Sequence, residues 1–144
     1  MNKVEKDIHI NAPVHDVYEQ WTHFERFPQY MHNVKSVTKM GENRYHWVAE
    51  IGGKTVEWDA EVTSLLPDRE IAWRSVSGDE NSGEIRFQPM NGGAHLYLTI
   101  VYDPPMGLLG EVGDKLTQRM SSDTEEDLKN FKKLMESQKT YTGK

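Results

Sequence analysis

Cysteine is absent from the 144-residue chain, which excludes disulfides, thiolate metal ligands and cysteine nucleophiles together. That absence is compatible with a reducing compartment, and the cytoplasm is the expected location. Long apolar runs are missing as well. No stretch approaches the ~20 consecutive apolar residues of a membrane-spanning helix, and Met1 to Asp7 carries alternating charges where a signal peptide would be apolar. Basic charge is scarce: 17 Lys and Arg are scattered among 23 Asp and Glu, for a formal net charge of −6. Without a basic stripe to neutralise a phosphate backbone, nucleic acid is not an expected partner.

The common catalytic signatures are also lacking. His9, His15, His23, His32, His46 and His95 form no HExxH, HxH or other short ligand spacing, so no metal is expected. No serine stands in a GxSxG elbow. Gly52-Gly53 and Gly92-Gly93 do not lead from a strand into a helix with phosphate-cradling spacing, so a nucleotide, or any other cofactor, is not expected.

What is present suits a folded protein, with 36% hydrophobic and 10% aromatic residues. The length fits one domain, expected over residues 1–136, with a polar tail at 137–144 that lacks periodicity and is expected to fray. Val4, Ile8 and Ile10 alternate with Glu5, Asp7 and His9 as in a half-buried strand. Pro13 suits a helix start, and Val14, Val17, Tyr18 and Trp21 then form one apolar stripe. Phe24, Phe27 and Pro28 mark a break, after which a short second helical segment through Tyr30 and Met31 is expected.

From Val34 to Tyr102 the period is two, with turn signals at Gly41-Glu42-Asn43, Gly52-Gly53, Pro67-Asp68, Gly78 to Ser82 and Asn91-Gly92-Gly93. Six strands joined by hairpins make an antiparallel meander. Asp103-Pro104-Pro105 ends it. Helical spacing then returns from about Met106 to Met135 through Leu109, Val112, Leu116, Met120, Leu128 and Phe131.

Strand alternation gathers Tyr45, Trp47, Ala49, Ile51, Val56, Trp58, Ala60, Val62, Ile71, Trp73, Ile85, Phe87, Leu96, Leu98, Ile100 and Tyr102 on one face. The other face carries Arg44, His46, Glu50, Glu57, Asp59, Glu61, Arg74, Glu84 and Arg86, a solvated exterior with scope for cross-strand charge pairs. Only the long last helix is large enough to cover the apolar face. The predicted fold is therefore α+β, a curved antiparallel sheet of about seven strands gripping a C-terminal helix. Trp47, Trp58 and Trp73 are bulky enough to hold sheet and helix apart and leave a cavity, or else they simply fill the core.

Ile10-Asn11-Ala12-Pro13, leading into Val17-Tyr18-Glu19-Gln20-Trp21 and Phe24-Glu25-Arg26-Phe27-Pro28, resembles the START-like (SRPBCC) superfamily over nearly the whole chain. The stretch from Trp47 to Ser75, with Gly53-Lys54, Glu57-Trp58-Asp59-Ala60-Glu61 and Ile71-Ala72-Trp73-Arg74-Ser75, is similar to its bacterial polyketide cyclase/dehydrase and lipid-transport branch. The resemblance implies a helix-grip (Bet v 1-like) fold of order β-α-α-β6-α, with a hydrophobic cavity between sheet and last helix. It leaves chemistry open, because members include both carriers and enzymes.

Three functions follow as expectations. The first is binding or carriage of a hydrophobic or amphipathic small molecule such as a lipid, quinone or polyketide. It would rest against Tyr45, Trp47, Trp58, Trp73, Phe87, Leu98 and Tyr102, with Met106, Leu109, Val112, Leu116 and Met120 opposite and Met106 to Gly110 as a lip. The second is a cyclase or dehydratase in the same pocket, with Tyr45 and Tyr102 as candidate acid–base groups. The third is an interaction module with a filled core that docks through an exposed corner at Phe24, Phe27, Tyr30 and Met31. A monomer or weak homodimer is expected.

Overall fold

A computed structural model describes the backbone of residues 2–51, 53–78, 80–102 and 111–142, and the side chains of these except residues 2, 51, 111–117 and 138–142. Strand β1 (Asn2–Ile10) is followed by helix α1 (Val14–Trp21) and a 3-10 turn (Phe24–Gln29). Six strands follow: β2 (Val34–Gly41), β3 (Arg44–Ile51), β4 (Lys54–Leu66), β5 (Glu70–Gly78), β6 (Asn81–Met90) and β7 (Gly93–Tyr102). Helix α2 (Glu111–Thr142) completes the order.

The seven strands form one antiparallel sheet in the order β1-β7-β6-β5-β4-β3-β2. The meander from β2 to β7 is as the turn signals predict. Asn91 and Gly92 both take positive φ, at 52° and 78°, the backbone that a two-residue hairpin needs and that Asn-Gly supplies at little cost. Register shifts between Asp59 and Ala60 and between Val62 and Ser64 bend β4 and help the sheet curve.

Alternation assigns the faces correctly for the described side chains; that of Ile51 lies outside them. Trp47, Ala49, Val56, Trp58, Ala60, Ile71, Ile85, Phe87, Leu96, Leu98 and Tyr102 are buried, and Tyr45, Val62, Trp73 and Ile100 are half-buried. On the outer face the expected charge pairs form. Arg44 lies 3.8 Å from Glu61, and Arg86 lies 3.7 Å from Glu70 and 3.0 Å from Glu84. His46 sits between Asp59, at 2.6 Å from Nδ1, and Glu57, at 2.9 Å from Nε2.

The corner departs from expectation. The 3-10 turn begins at Phe24, inside the segment read as a break, and Pro28 lies within it. Residues three apart eclipse one another in a 3-10 helix, so Phe24 and Phe27 both point inward. Phe27 meets Trp21 edge-on at 5.1 Å between ring centroids, and Trp47 at 5.3 Å. Phe24, Phe27 and Tyr30 are all buried and Met31 is half-buried, so the exposed aromatic patch expected of an interaction module does not exist here.

The sequence also stops the last helix too early. α2 runs on past Met135 to Thr142, so the backbone of residues 137–142 is helical where a fraying tail was expected. Lys132 and Glu136, four residues apart on the helix, form an ion pair at 2.6 Å. Glu136 also accepts a hydrogen bond from the Asn11 backbone N–H at 3.0 Å, and Lys132 donates to the His9 carbonyl at 2.7 Å, binding α2 to the end of β1. Among the described side chains of α2, Thr124, Asp127, Leu128, Phe131 and Met135 form the buried stripe. No helix among the described residues is long and apolar enough to cross a membrane.

Candidate functional site

A cavity of roughly 100 Å³ lies between the sheet and α2. Its sheet wall consists of Trp47 and Ala49 on β3, Trp58 on β4, Trp73 on β5, and Leu98 and Ile100 on β7. Trp47 and Trp58 are directly paired across β3 and β4, and their rings run nearly parallel, 7° between planes and 5.9 Å between centroids. Trp73 pairs with Gly83 on β6, and its indole occupies the space where a Cβ of residue 83 would stand. The Trp73 N–H donates to the Asn81 side-chain oxygen at 3.4 Å, which places Asn81 at the rim.

The corner supplies Phe27, Met31, Asn33 and Val34, and α2 supplies Met120, Thr124 and Asp127. Asp127 is the one buried carboxylate among the described residues. Its Oδ1 accepts from the His32 backbone N–H at 3.3 Å and lies 2.7 Å from His32 Nδ1. His32 Nε2 faces Asp123 at 3.5 Å, and the Asn33 amide donates to Asp123 at 3.0 Å. The corner is thus clipped to α2 by four polar contacts beside the cavity.

Burial holds the Asp127 carboxyl above the ordinary carboxylate range, and His32 opposes that rise. Burial works to lower His32, but the charges and hydrogen bonds of Asp127 and then Asp123 outweigh it and raise the imidazole pKa. Both groups therefore favour their protonated forms relative to free side chains. A carboxyl and an imidazole in direct contact can hold and exchange a proton at the cavity wall.

Of the residues expected around a ligand, Trp47, Trp58, Trp73, Leu98 and Met120 are brought together here. Three others lie elsewhere in the core. Tyr45 packs edge-on against Phe24 at 5.0 Å, Phe87 packs edge-on against Tyr18 at 5.4 Å, and Tyr102 is buried at the end of β7, paired with Asn2 and Asn81. Met106 and Leu109, with the proposed lip, fall outside the described residues, and the side chains of Val112 and Leu116 do too. Sequence reasoning did not assign Phe27, Met31, Val34, Ala49 and Ile100 to the site, and it missed the polar residues Asn33, Asn81, Thr124 and Asp127. For the last two a signal existed: Met120, Thr124, Asp127 and Phe131 share one face at spacings of three and four, so two polar residues interrupt an apolar stripe.

Among the described residues, no group of three or more His, Asp or Glu side chains is arranged to hold a metal ion.

A sheet gripping a helix over a largely apolar cavity defines a START-like, helix-grip protein. The chain belongs to the polyketide cyclase/dehydrase and lipid transport family, whose model matches residues 10–129. A curated relative, an uncharacterized 17.2 kDa protein of Streptomyces lincolnensis, is 37% identical over 99% of this chain and 95% of its own length. The crystal structure of a Thermus thermophilus protein superposes with a TM-score of 0.79 at 26% identity, covering 94% of this chain and 98% of that one. A START superfamily protein from Mycobacterium smegmatis shares the fold, with a TM-score of 0.77 at 15% identity over 94% of this chain and 97% of that one.

Proposed function

We propose that this protein binds a small hydrophobic or amphipathic molecule in the cavity between sheet and α2. The observation that carries the reading is the cavity itself, walled by Trp47, Trp58, Trp73, Leu98 and Met120, with Asp127 in its lining. Three tryptophans on neighbouring strands that filled the core would leave no such space; they line it instead. Burial of apolar ligand surface, at roughly 25 cal/mol per Å² before ordering costs, supplies the drive.

Size narrows the ligand. An apolar cavity of roughly 150 Å³ takes one benzene, so the roughly 100 Å³ here takes a ring only by widening, and otherwise a short branched chain or that much of a larger molecule. Toluene titrated into the protein and followed by NMR tests the reading. Saturable shifts of the resonances of Trp47, Leu98 and Met120 are expected, and Met120→Trp should abolish them while leaving the melting temperature within a few degrees. Absence of saturable shifts in the native chain counts against the cavity as a binding site.

A second reading, a cyclase or dehydratase acting in the same cavity, draws support from the Asp127–His32 contact, a proton-holding pair at the wall of an apolar pocket. Asp127 replaces Tyr45 and Tyr102 as the acid–base group, since neither tyrosine lines the cavity. Under this reading Asp127→Asn loses turnover and retains binding; under the carrier reading there is no turnover to lose.

A further inference from the structure

Two separate pieces of chain meet along one side of the cavity: Met31, Asn33 and Val34 of the corner, and Met120, Thr124 and Asp127 of α2. The sheet wall is held by backbone ladders between neighbouring strands. No ladder can cross to α2, because the backbone bonds of a helix are internal. Side chains close this seam instead. His32 and Asn33 stand in the turn that the Val34 N–H closes on the Met31 carbonyl at 3.0 Å, and from there they reach Asp123 and Asp127. Solvent reaches the seam, since the His32 side chain is 44% exposed and that of Asp123 24%. One turn further along α2, Phe131 packs on Trp21 and Tyr30 in the apolar core, so a separation at the seam would pivot there.

Asp123 and Asp127 lie four residues apart, a spacing at which like charges destabilise a helix. His32 stands between them, with Nδ1 2.7 Å from Asp127 and Nε2 3.5 Å from Asp123. A protonated imidazole donates from both nitrogens and a neutral one from only one. Loss of a single proton therefore removes one of these contacts and leaves the two carboxylates to repel each other.

From this we infer that His32 is a proton-operated latch on the cavity: protonated, it closes the corner onto α2, and on losing its proton it lets the seam part and admit ligand. This rests on the ligand-binding reading above and adds to it a route of entry and its control. A cavity of roughly 100 Å³ has to widen before it takes a ring, and the seam is where its wall is joined by side chains that solvent can reach.

The sign of the pH dependence follows from the charges around the imidazole. Burial works to lower the His32 pKa, but Asp127 and then Asp123, both on α2, outweigh it and raise it. On the β2 side, Lys35 is engaged with Glu50 at 3.6 Å. A pKa raised by closure means that protons favour the closed seam, and opening becomes easier as pH rises through the raised value.

Two readouts on the intact chain test the latch at about pH 6 and about pH 8. The first needs no ligand. The His32 backbone N–H donates to Asp127, and its protection against hydrogen exchange, corrected for the intrinsic pH dependence of exchange, should fall by roughly threefold or more at the higher pH. The Glu50 N–H, which ties the corner to β3 through the Asn33 carbonyl at 2.9 Å, should keep its protection. The second is the association rate of toluene from NMR line shapes, which should rise by a similar factor. His32→Gln should make entry fast at both pH values and Asp123→Asn slow at both, whereas His46→Gln, on the outer face, should leave the pH dependence in place.

An association rate indifferent to pH, or a Glu50 N–H that loses protection together with His32, overturns the latch and leaves the cavity reading standing. No saturable toluene binding at either pH overturns both. Because both readouts are taken on the unsubstituted protein, a poorly folding variant does not protect the inference.

Discussion

Gly83 shows how one residue shapes the cavity. It faces Trp73 across β5 and β6, and a Cβ there would lie against the indole and 2.9 Å from the Thr99 carbonyl oxygen. The backbone oxygen cannot give way, so the indole must. Gly83→Ala should push Trp73 toward the cavity and cost about 1–3 kcal/mol in denaturant unfolding, with weaker uptake of toluene. Unchanged stability and uptake would show that Trp73 is free to move elsewhere. Trp73 itself was legible from strand alternation; that it needs a glycine opposite was not, because register across a hairpin is set by the turn and the sequence does not print it. Asp127 was missed for a related reason: a carboxylate in a helix is usually solvated, and only its place among Met120, Thr124 and Phe131 marks it as inward.

Among the elements, α2 is held to the corner by two different means. Apolar packing joins it to the corner, where Phe131 lies 4.9 Å from Trp21 and 5.1 Å from Tyr30 between ring centroids. Phe131→Ala should cost about 3–5 kcal/mol, measured by urea unfolding; a loss under about 1 kcal/mol would mean the helix collapses onto the space with ease. Polar contacts make the second attachment, through His32 to Asp123 and Asp127.

His32 has a folded pKa above its ordinary 6.5, so its contribution to stability is fully present below about pH 6.5 and is lost as pH rises through the higher folded value. His46, raised chiefly by its hydrogen bond to Asp59 and then to Glu57, acts in the same direction. Urea midpoints should fall from about pH 6 to about pH 8, and His32→Gln should flatten part of that decline. A midpoint that rises across the window contradicts the assignment. The strands and both longer helices could be read from period and turn residues. The 3-10 turn could not, because Phe24, Phe27 and Pro28 look like a break unless the threefold eclipse of the two rings is anticipated. The far end of α2 was lost because its last residues are polar and show no apolar stripe, although Glu, Gln and Lys are good helix formers.

For the molecule as a whole, alternation tells which side chains face inward but not which of them meet the same space. Tyr45, Phe87 and Trp58 share one face of the sheet, yet Tyr45 packs under Phe24 and Phe87 under α1, and only Trp58 reaches the cavity. The curvature of the sheet and the line taken by α2 make that division, and both are properties of the assembled fold.

Whether the space between sheet and α2 holds a ligand is read most directly by native mass spectrometry of the protein purified from its own host, followed by denaturing extraction and identification of whatever is released. A small hydrophobic or amphipathic molecule, one per chain, is the expected result. A protein that arrives empty and also fails to take up toluene would contradict the reading of that space as a binding site.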